Sequence, residues 1–156
     1  ESGILVLRLE GPLFYANVER LQEWIEEEEL ELQDTEELIG IVVSASAIPF
    51  MDTTAVQTLK ALSKTCADRG VLFCIANTFG QTGRIAADQL EPLLEDAVKD
   101  PFLKTQVKSC SSVDDFIELI RRYRETIDKS ISHRLVRAST IQARSVYKPK
   151  NVIQAA

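Results

Sequence analysis

The segment Phe50-Met51-Asp52-Thr53-Thr54-Ala55 sets one carboxylate and two hydroxyls where an apolar run gives way to a helical pattern. The first amides of a helix lack intrahelical partners and lie at the positive end of its dipole, so such a position suits capping oxygens and anions alike. Two chemistries fit. Asp52 or Thr53 can cap the helix by accepting from an amide two or three residues on, the more ordinary use of these residue types. Thr54 or Thr53 can instead serve as a phosphoacceptor, adding roughly −1.5 to −2 charges at a site where Asp52 opposes them. Spacing alone leaves both open.

Around this segment the familiar catalytic constellations are missing. The sequence holds no GxSxG, no phosphate-binding lysine loop, no GxGxxG behind a strand and no HExxH. The single histidine, His133, lies in a basic stretch and reads as solvated. Cys66, Cys74 and Cys110 are three in number and widely spaced, which argues against a disulfide framework and a zinc site. Neither a metal nor a cofactor is expected, and the chain does not read as an enzyme. Apolar residues make up 45% of the 156, enough for a core, yet no run approaches the roughly 20 residues that cross a bilayer. The chain begins at Glu1 rather than Met, as a piece of something longer would.

The net charge of −6 hides a change of sign. Glutamates crowd positions 26 to 31, whereas nine Lys or Arg follow Ile120 against only Glu125 and Asp128. Such a reversal marks a domain and a tail, read here as a domain over 1–130 and a basic, frayed or disordered tail over 131–156. The tail is read as solvated, with no nucleic-acid partner expected.

The elements that position the Asp52 segment follow from periodicity. Ile4–Leu9 reads as a strand, Gly11-Pro12 as a turn, and Leu13-Phe14-Tyr15 as a second short apolar piece. Asn17 is placed to cap a helix whose inner face is Val18, Leu21, Trp24 and Ile25, making Trp24 a core anchor. The acidic residues 26–37 are read as leaving that helix. Leu38–Val43 reads as a strand buried on both faces. Val56, Leu59, Leu62 and Cys66 mark a helix closed by Gly70, and Val71–Ala76 forms a further strand ending at Asn77. Gln81–Leu90 reads as helical up to Pro92, Asp100-Pro101 as a turn, and Thr105–Val107 as a short edge strand. Ser112-Val113-Asp114-Asp115 resembles a capping box that opens a helix with Phe116, Ile117, Ile120, Tyr123 and Ile127 on one face. Alternating strands and helices imply a small α/β domain with a parallel or mixed sheet.

Three segments resemble one family. Ile4-Leu5-Val6-Leu7-Arg8-Leu9-Glu10-Gly11-Pro12-Leu13-Phe14-Tyr15-Ala16-Asn17 is similar to the opening of the STAS domain of SulP anion transporters, and Ile48–Leu59 to its signature loop. Ser111–Phe116 is similar to the start of its last helix. The resemblance covers residues 1 to 125, with Ala55 standing where the loop usually has glycine. It implies an α/β STAS (SpoIIAA-like) fold: a four- to five-stranded mixed sheet with helices packed mainly on one side.

It further implies a non-catalytic domain at the cytoplasmic face of a membrane transporter for sulfate, bicarbonate or a related anion. The implied partners are the transporter's own membrane domain, a second copy of the chain, and a regulatory protein or nucleotide. Carried over by position, Asp52, Thr53 and Thr54 are the signature loop, with Thr54 as phosphoacceptor and Thr53 beside it. Ser44, Ser46 and Asn77 are the expected nucleotide or partner contacts. The acidic stretch 26–37 and the long region 91–110 are where contacts with a membrane domain or twin subunit would be inserted. The competing reading is a stand-alone, anti-sigma-factor-antagonist-type partner-switching protein controlled by phosphorylation. A nucleotide-dependent enzyme ranks third, for want of a phosphate loop or an acid–base pair.

Overall fold

The computed structural model describes residues 3–32 and 37–146. It divides into two units, Glu1–Arg124 and Glu125–Ala156. The first is built on three parallel strands in the order β1-β2-β3, namely β1 (Ile4–Glu10), β2 (Gly40–Ala47) and β3 (Leu72–Ala76). The branched run of β2 makes it the central strand: its residues from Gly40 to Ala45 are all buried.

Parallel register puts Leu5 and Leu7 beside Ile41 and Val43, and these beside Phe73 and Ile75. That face forms the main core with Val18, Leu21 and Ile25 of α1 (Val18–Leu32) and Ala55, Val56 and Leu59 of α2 (Thr53–Asp68). The opposite face meets the closing helix at Gly40, where a Cβ would stand 2.6 Å from Ile120 Cδ1. Glycine here admits close packing of helix on sheet. The crossover from β2 through α2 to β3 ends at Gly70, whose φ of +77° is the left-handed turn that favours glycine.

After β3 come α3 (Gly80–Ile85), a π-helical turn (Ala86–Leu90), α4 (Glu91–Ala97), α5 (Pro101–Gln106), a 3₁₀ turn (Val107–Ser109) and α6 (Val113–Val146). Several expectations change. The described residues hold three strands rather than four or five. Leu13–Tyr15 contributes a single parallel bridge, Leu13 to Met51, and 105–107 is helical. The reason for the latter lies at Asp100, whose Oδ1 accepts from the Leu103 amide while Pro101 occupies the first turn: a helix start, not a bare turn.

α1 continues through the acidic run to Leu32, since glutamate is a good helix former and Glu29 is paired with Arg69 at 2.7 and 2.8 Å. Trp24 is 41% exposed with the Arg20 guanidinium 5.6 Å from its ring, not a core anchor. It stands about 100° around the helix from Ile25, off the buried face. The tail expected to fray continues α6 as helix over 131–146, a stretch without Gly or Pro. Residues 147–156 of that expected tail lie outside the described residues.

Candidate functional site

Met51 is buried and bridged to Leu13, which fixes the backbone on either side. The Leu13 amide donates to the Phe50 carbonyl at 2.9 Å, and the Asp52 amide to the Leu13 carbonyl at 3.2 Å. Asp52 then ends the extended segment as the N-cap of α2, with Oδ1 accepting from the Ala55 amide at 2.7 Å. Its other oxygen, Oδ2, accepts from the Tyr15 amide at 3.0 Å, 37 residues away. One carboxylate thus caps a helix and ties down a distant turn.

The turn is braced from its own side by Asn17. Its Oδ1 accepts from the Phe14 amide at 2.8 Å and its Nδ2 donates to the Pro12 carbonyl at 2.9 Å. Asn17 stands immediately ahead of α1, where a cap was expected, but its side chain turns back to hold the loop it came from. Phe14 and Tyr15 meet edge to face with centroids 6.0 Å apart. Because Asp52 and Asn17 fix the backbone, Tyr15 and Phe50 are held out from the core, 68% and 42% exposed. Thr53 and Thr54 are exposed on the first turn of α2 beside them.

Of the other expected contacts, Ser44 and Asn77 come together: Asn77 Nδ2 donates to Ser44 Oγ at 3.1 Å. Asn77 sits at φ +56°, a conformation asparagine tolerates, and its amide donates to the Ser111 carbonyl at 2.7 Å. Ser44 is buried, so this pair closes the ends of β2 and β3 and ties them to the start of α6. Ser46 is exposed near the end of β2 and joins neither group of hydrogen bonds. The loop after Ile48 is tethered by the buried Thr82, whose hydroxyl donates to the Ile48 carbonyl at 2.7 Å.

Sequence reading missed Tyr15 and Phe50 as site residues. The signal was present: an aromatic in each of two turn-rich segments, with no helical or strand period to bury it.

Cys74 is wholly buried and its thiol is pushed far up by desolvation. Burial raises Cys66 too, opposed by the nearby Arg69, and it raises Cys110. These are thiols held protonated, the opposite of an activated nucleophile. Among the described residues no cluster of His, Cys, Asp and Glu has the make-up of a metal site. No described helix is long and apolar enough to cross a membrane.

What the arrangement offers is a hydrogen-bonded surface with two exposed aromatics and two hydroxyls at a helix N-terminus. The family model of the STAS domain matches residues 1–95. Sulfate transporter 3.2 of Arabidopsis thaliana is 34% identical over 82 residues, 49% of this chain and 13% of that protein. Probable sulfate transporter 4.2 of the same plant is 25% identical over 83 residues, again 49% of the chain and 12% of the relative. The chain therefore spans only about an eighth of the length of these relatives.

Among solved structures, a sulfate transporter family protein from Wolinella succinogenes superposes with a TM-score of 0.56 at 16% identity, over 79% of this chain and 88% of that one. The murine solute carrier 26 family member A9 anion transporter, in its inward-facing state, gives 0.54 at 17% identity, over 78% of this chain and 18% of that one. At these identities the likeness is one of fold.

Proposed function

The chain belongs to the STAS domain family, and from that premise we propose that it is the non-catalytic, cytoplasmic-face domain of a SulP-type anion transporter. In this reading it moves no ion itself. It docks against the transporter's own membrane domain and a second copy of the chain, and so governs assembly and activity in the transport of sulfate or bicarbonate. The domain is taken to end near residue 130, with 131–156 as a basic extension.

The observation that carries the reading is the Asp52 bridge, which joins the opening segment and the signature loop into one preorganised face. Preorganisation matters because ordering loops on contact would cost binding free energy. Exposed Tyr15 and Phe50 are the residue types that anchor protein interfaces. The likeness to sulfate transporters supports the choice of host protein.

The test is uptake of labelled sulfate or bicarbonate by cells whose only carrier is the full-length transporter. Replacing Tyr15 and Phe50 together by serine is expected to lower uptake several-fold while the melting temperature of the domain stays nearly constant. Unchanged uptake contradicts the reading.

A second reading rests on Thr53 and Thr54, whose exposure at the start of α2 leaves them open to a kinase. Phosphorylation of Thr54 would place its charge beside Tyr15 and Phe50, and would serve equally a stand-alone partner-switching protein. Mass spectrometry of the chain from its native cells separates the two uses. Phosphate on Thr54 in a protein lacking a membrane portion favours the stand-alone switch.

A further inference from the structure

We propose that the first unit holds a binding site for a small, mainly apolar molecule bearing one hydroxyl or carbonyl, away from the Asp52 face. Its origin lies in the sequence around Pro92. A proline has no amide hydrogen to donate four residues back, to Asp88, and its ring crowds that carbonyl. The chain answers by widening: the Glu91 amide donates to the Ala86 carbonyl five residues earlier, which closes the π-helical turn Ala86–Leu90. Such turns are strained relative to an α-helix and occur often at functional sites.

Here the widened turn forms one wall of a cavity of about 100 Å³. Phe73 and Ile75 of β3, Leu90, Leu94, Val107 and Phe116 supply its apolar lining. An enclosed dry cavity of about 150 Å³ holds a benzene ring; this one is smaller but open at the rim by the exposed Ala87, so a short alkyl chain fits inside it and a small ring can seat with one edge at the mouth.

The walls also carry Thr78, Glu91, Cys110 and Ser111, all more exposed, and the one buried polar side chain among the lining residues gives the site chemical direction. Ser63 of α2 lines the cavity, is only 5% exposed, and its hydroxyl makes no hydrogen bond among the described residues. Among the described residues no polar side-chain atom sealed from solvent lacks a partner, so the Ser63 hydroxyl faces accessible space. That space is this cavity and a shallower hollow towards Tyr123. A ligand with one hydroxyl or carbonyl would supply the missing partner, and its apolar remainder would fill the pocket. None of this depends on the transporter reading.

The test uses the whole 156-residue chain with its methyl groups followed by NMR, titrated separately with phenol and with benzene. The expected result is saturable shifts at Ile75, Leu90, Leu94 and Val107. Phenol should bind about fivefold more tightly, the worth of one neutral hydrogen bond. Ser63→Ala should equalise the two probes. Ala86→Leu should abolish both by filling the cavity, and Ala87→Leu, at its exposed rim, is the second variant should the first not fold. Shifts that grow linearly without saturating, binding that survives Ala87→Leu, or a phenol preference that persists in Ser63→Ala would each overturn the proposal.

Discussion

Two helix starts in this molecule use the same chemistry to different ends. At α6, Ser112 and Asp115 form a closed local device: the Asp115 amide donates to Ser112 Oγ at 3.1 Å, and Asp115 Oδ2 accepts from the Ser111 and Ser112 amides at 3.0 and 2.9 Å. At α2, Asp52 spends one oxygen on its own helix and the other on Tyr15, far off in sequence. The first start stabilises a helix and carries no exposed aromatic. The second welds two loops into a face that carries aromatics. A cap that reaches across the chain shapes a surface; one that reaches only itself sets a helix boundary.

The sharpest way to break this contrast is Asp52→Ala. It removes a cap and a charge-assisted bond to a distant amide, together about 2 kcal/mol in urea unfolding. Amide exchange should then quicken at Tyr15 and Ala55 together. Faster exchange at Ala55 alone would reduce Asp52 to an ordinary cap. Ser112→Ala should cost less, about 1 kcal/mol, with faster exchange confined to the first turn of α6.

Smaller still is a pH effect. The amides of Ser112 and Ser111 and the Ser112 hydroxyl hold the Asp115 carboxyl down at about 2, from an ordinary 3.8. A carboxylate depressed by folding stabilises the native state above its unfolded value, and that contribution is lost as pH falls. The loss attributable to Asp115 should therefore run from about pH 4 down to about pH 2. Asp115→Asn should flatten the stability profile across that window. An unchanged acid limb would show that the bonds to Asp115 do not distinguish its two protonation states.

The two starts also differed in how far the sequence disclosed them. The Ser112–Asp115 box was legible because its partners lie within four residues, and the β2 and α2 segments because their apolar periods are strong. The Asp52–Tyr15 link was not, because no local pattern encodes a contact across 37 residues. Strand count failed for a related reason: Leu13–Tyr15 is apolar enough for a strand, but its pairing stops at one bridge as the chain turns under Asn17. Thr105–Val107 looked extended only because Asp100-Pro101 reads equally as a turn and as a cap with proline behind it. A break at Pro92 was visible, but a proline ends a helix as readily as it widens one, so the π turn Ala86–Leu90 was not legible in the sequence.

The most direct measurement sets the two starts against each other inside the full-length transporter: labelled sulfate or bicarbonate uptake by Asp52→Ala and by Ser112→Ala, each normalised to the amount of folded protein at the cell surface. A docking face held by Asp52 predicts a several-fold loss of normalised uptake for Asp52→Ala and near-normal uptake for Ser112→Ala. Equal normalised uptake in the two variants would contradict it.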